Sequence, residues 1–422
     1  MVKSFKRILI RLFFKQKIKV DMLNIVDAQQ CIERVKHRVS NKNRYKVLFV
    51  VTTVSKWKYH SLYNSMISSS YFEDVAIIVA PMNHLDKGLQ KEEYVKASAW
   101  FRVNNYKVMN GESSETAKCK LDSYSPDIVF FSDPYTYVDK IYHITHWYKK
   151  ALCCYSQYSF MILDNYDDFY NLAFHNLLWR FYNETEFHKQ IAEKYLINNG
   201  SVKVAGYPYC DILKKNGNVV RQRKKIIWAP HHTIEQEKNK QAAFLNIYEY
   251  MRELVNKYPH IDFVFKPHPN LKPRLYKASS LGWGQKNTDI YYEWWATQEN
   301  TSLHEGEYTD LFQESSALIH DSASFVLEYM VTGKPMLFTL CKNIEEYDIN
   351  KLGKDALKIS YLSYVNQDIT KFIDHVVVKG DDPKISLRKH FTNDELGISS
   401  DVNVCDLIIN DILGALSGHE EI

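Results

Sequence analysis

Three apolar runs in the first third of the chain constrain its fold most: YKVLFVVTTV (45–54), DVAIIVAP (74–81) and DIVFFSDP (127–134). Each is short and continuous, and each ends in a polar or proline-bearing turn. A half-exposed strand alternates apolar and polar residues, whereas an unbroken run belongs to a strand buried on both faces of a parallel sheet. Helical stretches separate the runs, as in KEEYVKASAWFRVNN (91–105), and KALCCYSQYSF (150–160) and VKVAGYP (202–208) continue the series. After the polar, basic NGNVVRQRKK (216–225) a second series begins with KIIWAPHH (225–232) and a long helix over 239–258. It goes on through IDFVFKPHPN (261–270), SALIHDSAS (316–324), a helix through Glu328, and KPMLFTL (334–340). This alternation predicts an α/β chain of two doubly wound, Rossmann-like domains facing a cleft. A length of 422 residues also suits two cores better than one.

The expected division is a basic amphipathic segment over 1–39, a first domain over 40–215, a link over 216–224, a second domain over 225–385 and a helical tail over 386–422. Within the tail, VNVCDLIINDILG (402–414) reads as an amphipathic helix. A net charge of only +4 argues against a nucleic-acid partner. The seven cysteines show no CxxC pair and no framework spacing, which fits a reducing cytoplasm, and Cys153-Cys154 reads as part of a buried strand. The first nineteen residues carry seven basic side chains and no acid. Interrupted by Arg7 and Arg11, they are too short to span a bilayer. They read either as an interfacial helix on anionic lipid, placing the protein peripherally on the cytoplasmic face of the inner membrane, or as a helix on the protein's own surface.

Three strand ends in the second half are polar in the same way. WAPHHT ends in His231, His232 and Thr233; FKPHPN carries Lys266 and His268; ALIHDSAS ends in His320, Asp321, Ser322 and Ser324. No GxGxxG and no GxxxxGK[ST] occurs. Small hydroxylated residues opening a helix leave backbone N–H groups for an anion, although simple N-capping explains them too. Lys266 and His268, two apart on an extended segment, can share one face and serve a leaving phosphate by charge and by a hydrogen bond or proton. Zinc on His231, His232, His268 and His320 is the competing reading. None of these has a metal-motif spacing, so neither a metal nor a cofactor is expected.

Taken in order, APHHT, FKPHP and YTDLFQESSALIHDSASFVLEYMVTGKPMLF resemble the CDP-glycerol glycerophosphotransferases of teichoic-acid and capsule synthesis. The resemblance covers residues 225–340 well and 182–211 loosely, and it implies a GT-B type fold. It also implies that His268 handles the donor diphosphate catalytically, while His231 or His232, or a base of the first domain, would take the acceptor proton. Lys266, Asp321, Ser322 and Ser324 would hold the donor diphosphate, and Asp310 and Glu328 the nucleotide. The family's Trp-His-Gly acceptor motif is missing. In its place Asp164, Asp167, Asp168 and His175 stand as alternative bases, with Tyr155, Gln157 and Tyr158 on the acceptor side. The implied activity moves an alditol phosphate from a CDP-activated donor to a glycan or lipid-linked acceptor. A glycosyltransferase using a nucleotide sugar is the alternative, followed by a nucleotide-sugar epimerase and a non-catalytic envelope-assembly scaffold.

Overall fold

The computed structural model describes residues 22–214, 223–234, 242–399 and 401–418. The basic segment 1–19 and most of the expected link 216–224 lie outside the described residues. The described chain forms two compact units: unit 1 holds residues 22–161, 165–211 and 401–418, and unit 2 holds 162–164 and 212–399.

Unit 1 is built on seven strands: β1 (Tyr45–Val51), β2 (Phe72–Val79), β3 (Val108–Met109), β4 (Ile128–Phe131), β5 (Leu152–Ser156), β6 (Arg180–Asn183) and β7 (Val202–Val204). They lie in the order β3-β2-β1-β4-β5-β6-β7, and every pairing is parallel. The run that begins the series is continuous because β1 is central and covered twice. Val47, Phe49 and Val51 enter one buried cluster with Ile77 and Phe130. Leu48 and Val50 enter the other with Ile78 and Val129, as the two-residue alternation of a strand requires. Helix α1 (Met22–Ser40) adds Ile32, Val35 and Val39 to the first cluster, and α2 (Lys87–Val103) adds Tyr94, Ala97 and Phe101. Asp86 caps α2 by accepting the Leu89 N–H at 3.0 Å.

Unit 2 repeats the plan with β8 (Lys224–Ala229), β9 (Ile261–Phe265), β10 (Thr301–Leu303), β11 (Ala317–His320), β12 (Met336–Thr339) and β13 (Tyr361–Ser363). These are also all parallel, in the order β10-β9-β8-β11-β12-β13. Its core is aromatic. Trp228 of β8 lies 5.7 Å from Phe244 at the start of α3 (Phe244–Lys257), 5.0 Å from Phe265 and 5.4 Å from Trp295 of α4 (Gln285–Thr297), between ring centroids. Helix α5 (Ala323–Met330) follows β11 directly. Among the described residues no helix is long and apolar enough to cross a membrane.

The expected tail divides: its first part stays in unit 2, while α6 (Val404–Ser417) packs in unit 1. Val404, Ile408, Ile412 and Leu416 recur at helical spacing and join the first core cluster. Its start is fixed by Asp211, whose carboxylate accepts the N–H groups of Val404 at 3.0 Å and Cys405 at 2.8 Å. Further along, Asp411 accepts from Arg180 Nε and from the Tyr182 hydroxyl, both at 2.8 Å. Asp211→Ala strands two buried donors at once and is expected to lower stability by about 2 kcal/mol. Chemical denaturation followed by tryptophan fluorescence checks this; an unchanged midpoint contradicts the capping role.

Candidate functional site

The chain of unit 2 enters at β8, adds β9 and β10 on one side, then crosses to set β11 on the other. The loops leaving β8 and β11 part there, and in open α/β sheets such reversals hold the ligand crevice. The three polar strand ends meet at this reversal. Asp321, just past β11, accepts the backbone N–H of His231 on Oδ1 at 2.5 Å and that of Ala243 on Oδ2 at 2.7 Å. Backbone bonds from Lys266 N–H to Trp228 O (2.8 Å) and from His268 N–H to Pro230 O (3.0 Å) carry the β8–β9 pairing past the strand ends. His268 is thereby held beside the histidine pair.

The three imidazoles form a cluster. Ring centroids are 4.1 Å apart for His231 and His232, 5.1 Å for His231 and His268, and 4.1 Å for His232 and His268. His231 Nδ1 lies 2.9 Å from the Thr233 hydroxyl, and His268 Nδ1 accepts the Asn270 N–H at 3.1 Å. A neutral His268 therefore carries its proton on Nε2 as a donor. His232 Nδ1 is buried without a partner. Burial keeps all three rings neutral, helped for His231 by the neighbouring imidazoles: its pKa falls to about 2. That of His268 falls to about 3 through burial, His232 and the cations Lys266 and Arg274. That of His232 falls to about 4 through burial and Arg274.

Among the described residues these imidazoles form the one group whose nitrogens, all within 4.8 Å of one another, have the spacing to hold a metal ion. Arg274 acts on all three rings and Lys266 on His268, so the local field also favours an anion. Lys266 is buried, with its ammonium 5.1 Å over the ring of Tyr308 and 5.7 Å over that of Phe325 in the first turn of α5. Tyr308 in turn donates to Glu328 Oε2 at 2.5 Å. Ser322 stands at the N-cap of α5, but its hydroxyl is 2.9 Å from that of Ser324 and makes no cap bond, so both hydroxyls stay at the helix tip.

Several residues singled out from the sequence sit elsewhere or act otherwise. Asp321, expected at the donor phosphate, is fully buried and spends both oxygens on backbone donors; burial raises its pKa to about 7 against those hydrogen bonds. Its carboxylate braces the His231 loop. Glu328 is buried, and its Oε2 faces the Tyr308 hydroxyl. Asp310 is exposed in the first turn of the helix Thr309–Glu314. His320 is sealed against Phe338, with Nδ1 at the Ser322 carbonyl.

Of the residues expected on the acceptor side, Tyr155, Gln157 and His175 lie together, with the Tyr155 and His175 rings 5.8 Å apart, while Tyr158 is half-buried. Tyr155, Gln157 and His175 are buried in unit 1. The Tyr155 hydroxyl donates to Gln157 Oε1 at 2.9 Å, Gln157 Nε2 donates to the Phe169 carbonyl at 2.9 Å, and His175 stacks on Phe181 at 5.0 Å. Asp164 is exposed and belongs to unit 2, while Asp167 and Asp168 are exposed in unit 1. Arg274, Tyr308 and Phe325 were missed; the signal for Arg274 is its place one helical turn beyond FKPHPN.

No protein-family model and no curated protein matches this chain. Its structure is similar to that of the wall teichoic acid polymerase TagF, at 10% identity and a TM-score of 0.56 over 100% of both chains. It is similar to the UDP-GlcNAc 2-epimerase of Neisseria meningitidis bound to UDP-GlcNAc, at 16% identity and a TM-score of 0.54 over 87% of this chain and 99% of that one. The UDP-GlcNAc 2-epimerase of Methanocaldococcus jannaschii in complex with UDP-GlcNAc and UDP gives 14% identity and a TM-score of 0.53, again over 87% and 99%. At such identities the likeness is one of fold: the chain has two Rossmann-like, doubly wound α/β units of GT-B type.

Proposed function

We propose that this protein is a transferase of cell-envelope glycan synthesis that moves an alditol phosphate from a CDP-activated donor to a hydroxyl acceptor. The observation that carries the reading is the cluster of three neutral imidazoles beside Lys266, at the strand reversal that also holds the N-terminus of α5. A diphosphate is the ligand such a site suits. Helix N–H groups and the Ser322 and Ser324 hydroxyls meet its oxygens, Lys266 supplies fixed charge, and His268 Nε2–H donates a hydrogen bond.

In the proposed reaction the acceptor oxygen forms a bond to the β-phosphorus and the bond from that phosphorus to the CMP oxygen breaks. The acceptor proton passes to a base, for which His231 and His232 are the neutral candidates within unit 2. His268 stabilises or protonates the departing CMP. Negative charge grows on that leaving phosphate, where the ammonium and the imidazole donors are already in place, so little reorganisation is needed at the transition state. Asp310 and Glu328 remain the proposed nucleotide contacts, Glu328 through Tyr308. The basic N-terminal segment is proposed to meet the anionic inner-membrane surface, where a lipid-linked acceptor would be found.

A nucleotide-sugar reaction is the second reading, favoured by the likeness to structures that hold UDP-GlcNAc and UDP. Incubation with a panel of CDP-alditols and nucleotide sugars separates the two by the nucleotide released. CMP is expected; a nucleoside diphosphate supports the second reading, and no consumption of any donor contradicts both. His268→Ala is expected to lower kcat/KM by about 100-fold or more; unchanged turnover removes His268 from the mechanism.

The donor's charge has a pH signature. The free imidazoles are neutral, with pKa values of about 2 to 4. A bound diphosphate favours the charged form of His268, so binding takes up a proton and affinity for a CDP-alditol, whose esterified diphosphate does not itself titrate near neutrality, rises as pH falls from about 7.5 to 5.5. Calorimetry in buffers of different ionisation enthalpy reads this uptake; proton release on binding, or affinity that falls over that range, contradicts it.

A further inference from the structure

Unit 1 has its own strand reversal, between β1 and β4. The loops leaving these strands meet in a polar cluster that the donor chemistry does not use. Thr52, just past β1, donates its hydroxyl to Asp133 Oδ2 at 2.5 Å, just past β4. Lys56 Nζ lies 3.2 Å from the same oxygen, and the Tyr137 hydroxyl donates to it at 3.1 Å. Oδ1 accepts the Tyr135 N–H at 3.1 Å. The Lys56 ammonium stands over three rings, with centroids 4.8 Å away for Tyr135, 4.9 Å for Tyr137 and 5.3 Å for Tyr158. The hydroxyls of Tyr135 and Tyr158 are 2.7 Å apart.

Exposure makes this cluster a candidate site. Asp133 is buried, whereas Lys56 and the three tyrosines are half-buried, so ring faces and hydroxyls reach the surface while the carboxylate fixes them from below. Beneath the cluster a cavity of about 10 Å³, enough for one water-sized group, is lined by Thr52, Ser132, Asp133 and His143. Nε2 of His143 is buried with no partner, and burial lowers the pKa of this imidazole.

The comparison with unit 2 sharpens the point. There the carboxylate at the reversal, Asp321, is consumed by two backbone donors and braces a loop. In unit 1 Asp133 gathers mostly side chains: a hydroxyl, an ammonium and a phenol. Burying an ion pair costs desolvation that an apolar cluster would avoid, so packing alone is a poor reason for it. A neutral pair surrounded by tyrosine faces does not select an ion. It offers flat apolar surfaces for C–H groups, with fixed donors and acceptors at their edges for hydroxyls.

We infer that Lys56, Asp133, Tyr135, Tyr137 and Tyr158 form a binding site for a hydroxyl-rich ligand, an alditol or the end of a glycan chain. On the transferase reading above, and resting on it, this ligand is the acceptor. Saturation-transfer NMR on the full chain tests the binding without any donor, using the uncharged probes glycerol, ribitol, N-acetylglucosamine and N,N′-diacetylchitobiose. At least one probe is expected to receive saturation from the unaltered protein. Tyr158→Ala and Lys56→Met are each expected to cut that signal five-fold or more, while Tyr158→Phe keeps most of it and His268→Ala leaves it unchanged. An unaltered circular-dichroism spectrum at the assay temperature serves as the folding control, and Tyr135→Leu replaces Lys56→Met if the latter fails that control. No saturation of any probe, or variants that saturate as strongly as the unaltered protein, overturns the site. Binding here with no donor consumed in the nucleotide panel leaves the site standing and removes the transferase reading instead.

Discussion

Unit 2 depends on one carboxylate. Asp321 sits at the end of β11, accepts an N–H from the loop after β8 and another from the residue before α3, and so ties three segments together where the strand order reverses. A reversal opens a gap between diverging loops, and a gap alone gives no fixed geometry. With Asp321 in place His231 is held, and the bond from His268 N–H to Pro230 O brings the third imidazole alongside. Backbone hydrogen bonds thus fix where the imidazoles stand. Burial works against the Asp321 charge and two donated N–H groups work for it, a balance that places its pKa near 7.

The two units solve the same topological problem differently. Each places a carboxylate just past the strand that follows the crossover, Asp133 in one and Asp321 in the other. One organises a lysine and tyrosines that reach the surface, the other organises histidines around a helix start. A doubly wound sheet directs whatever follows its central strands to the same end, so function is written in the few residues beyond each strand.

Much of this was legible in the sequence for a plain reason. A central parallel strand is buried on both faces, so it must be apolar throughout, and YKVLFVV and IIWA announce themselves. The histidines and Lys266 were legible too, because polar residues directly after such strands have one place to go. What stayed hidden was of three kinds. Edge strands of two or three residues such as β3, β10 and β13 leave no run to read. Strand β6 carries Arg180, tolerable only because Asp411, far along the chain, accepts from it. What the sequence could not show for Tyr155, Gln157 and His175 is their burial in unit 1, where the Tyr155 hydroxyl and the Gln157 amide are bonded internally and the His175 ring stacks on Phe181, a fact set by packing. The Lys56–Asp133 pair was missed although DIVFFSDP ends like ALIHDS; its partner stands on a different loop, and only the reversal brings the two together.

On the proposed reading a diphosphate is held between the three imidazoles and the tip of α5. The most direct measurement is a crystal structure of the protein soaked with CDP. Diphosphate density is expected within hydrogen-bonding distance of His268 Nε2 and of the first-turn N–H groups of α5, with Asp321 still bound to the His231 backbone. Nucleotide bound away from the histidine cluster, or a diphosphate turned from the helix start with the imidazoles facing only solvent, would contradict it.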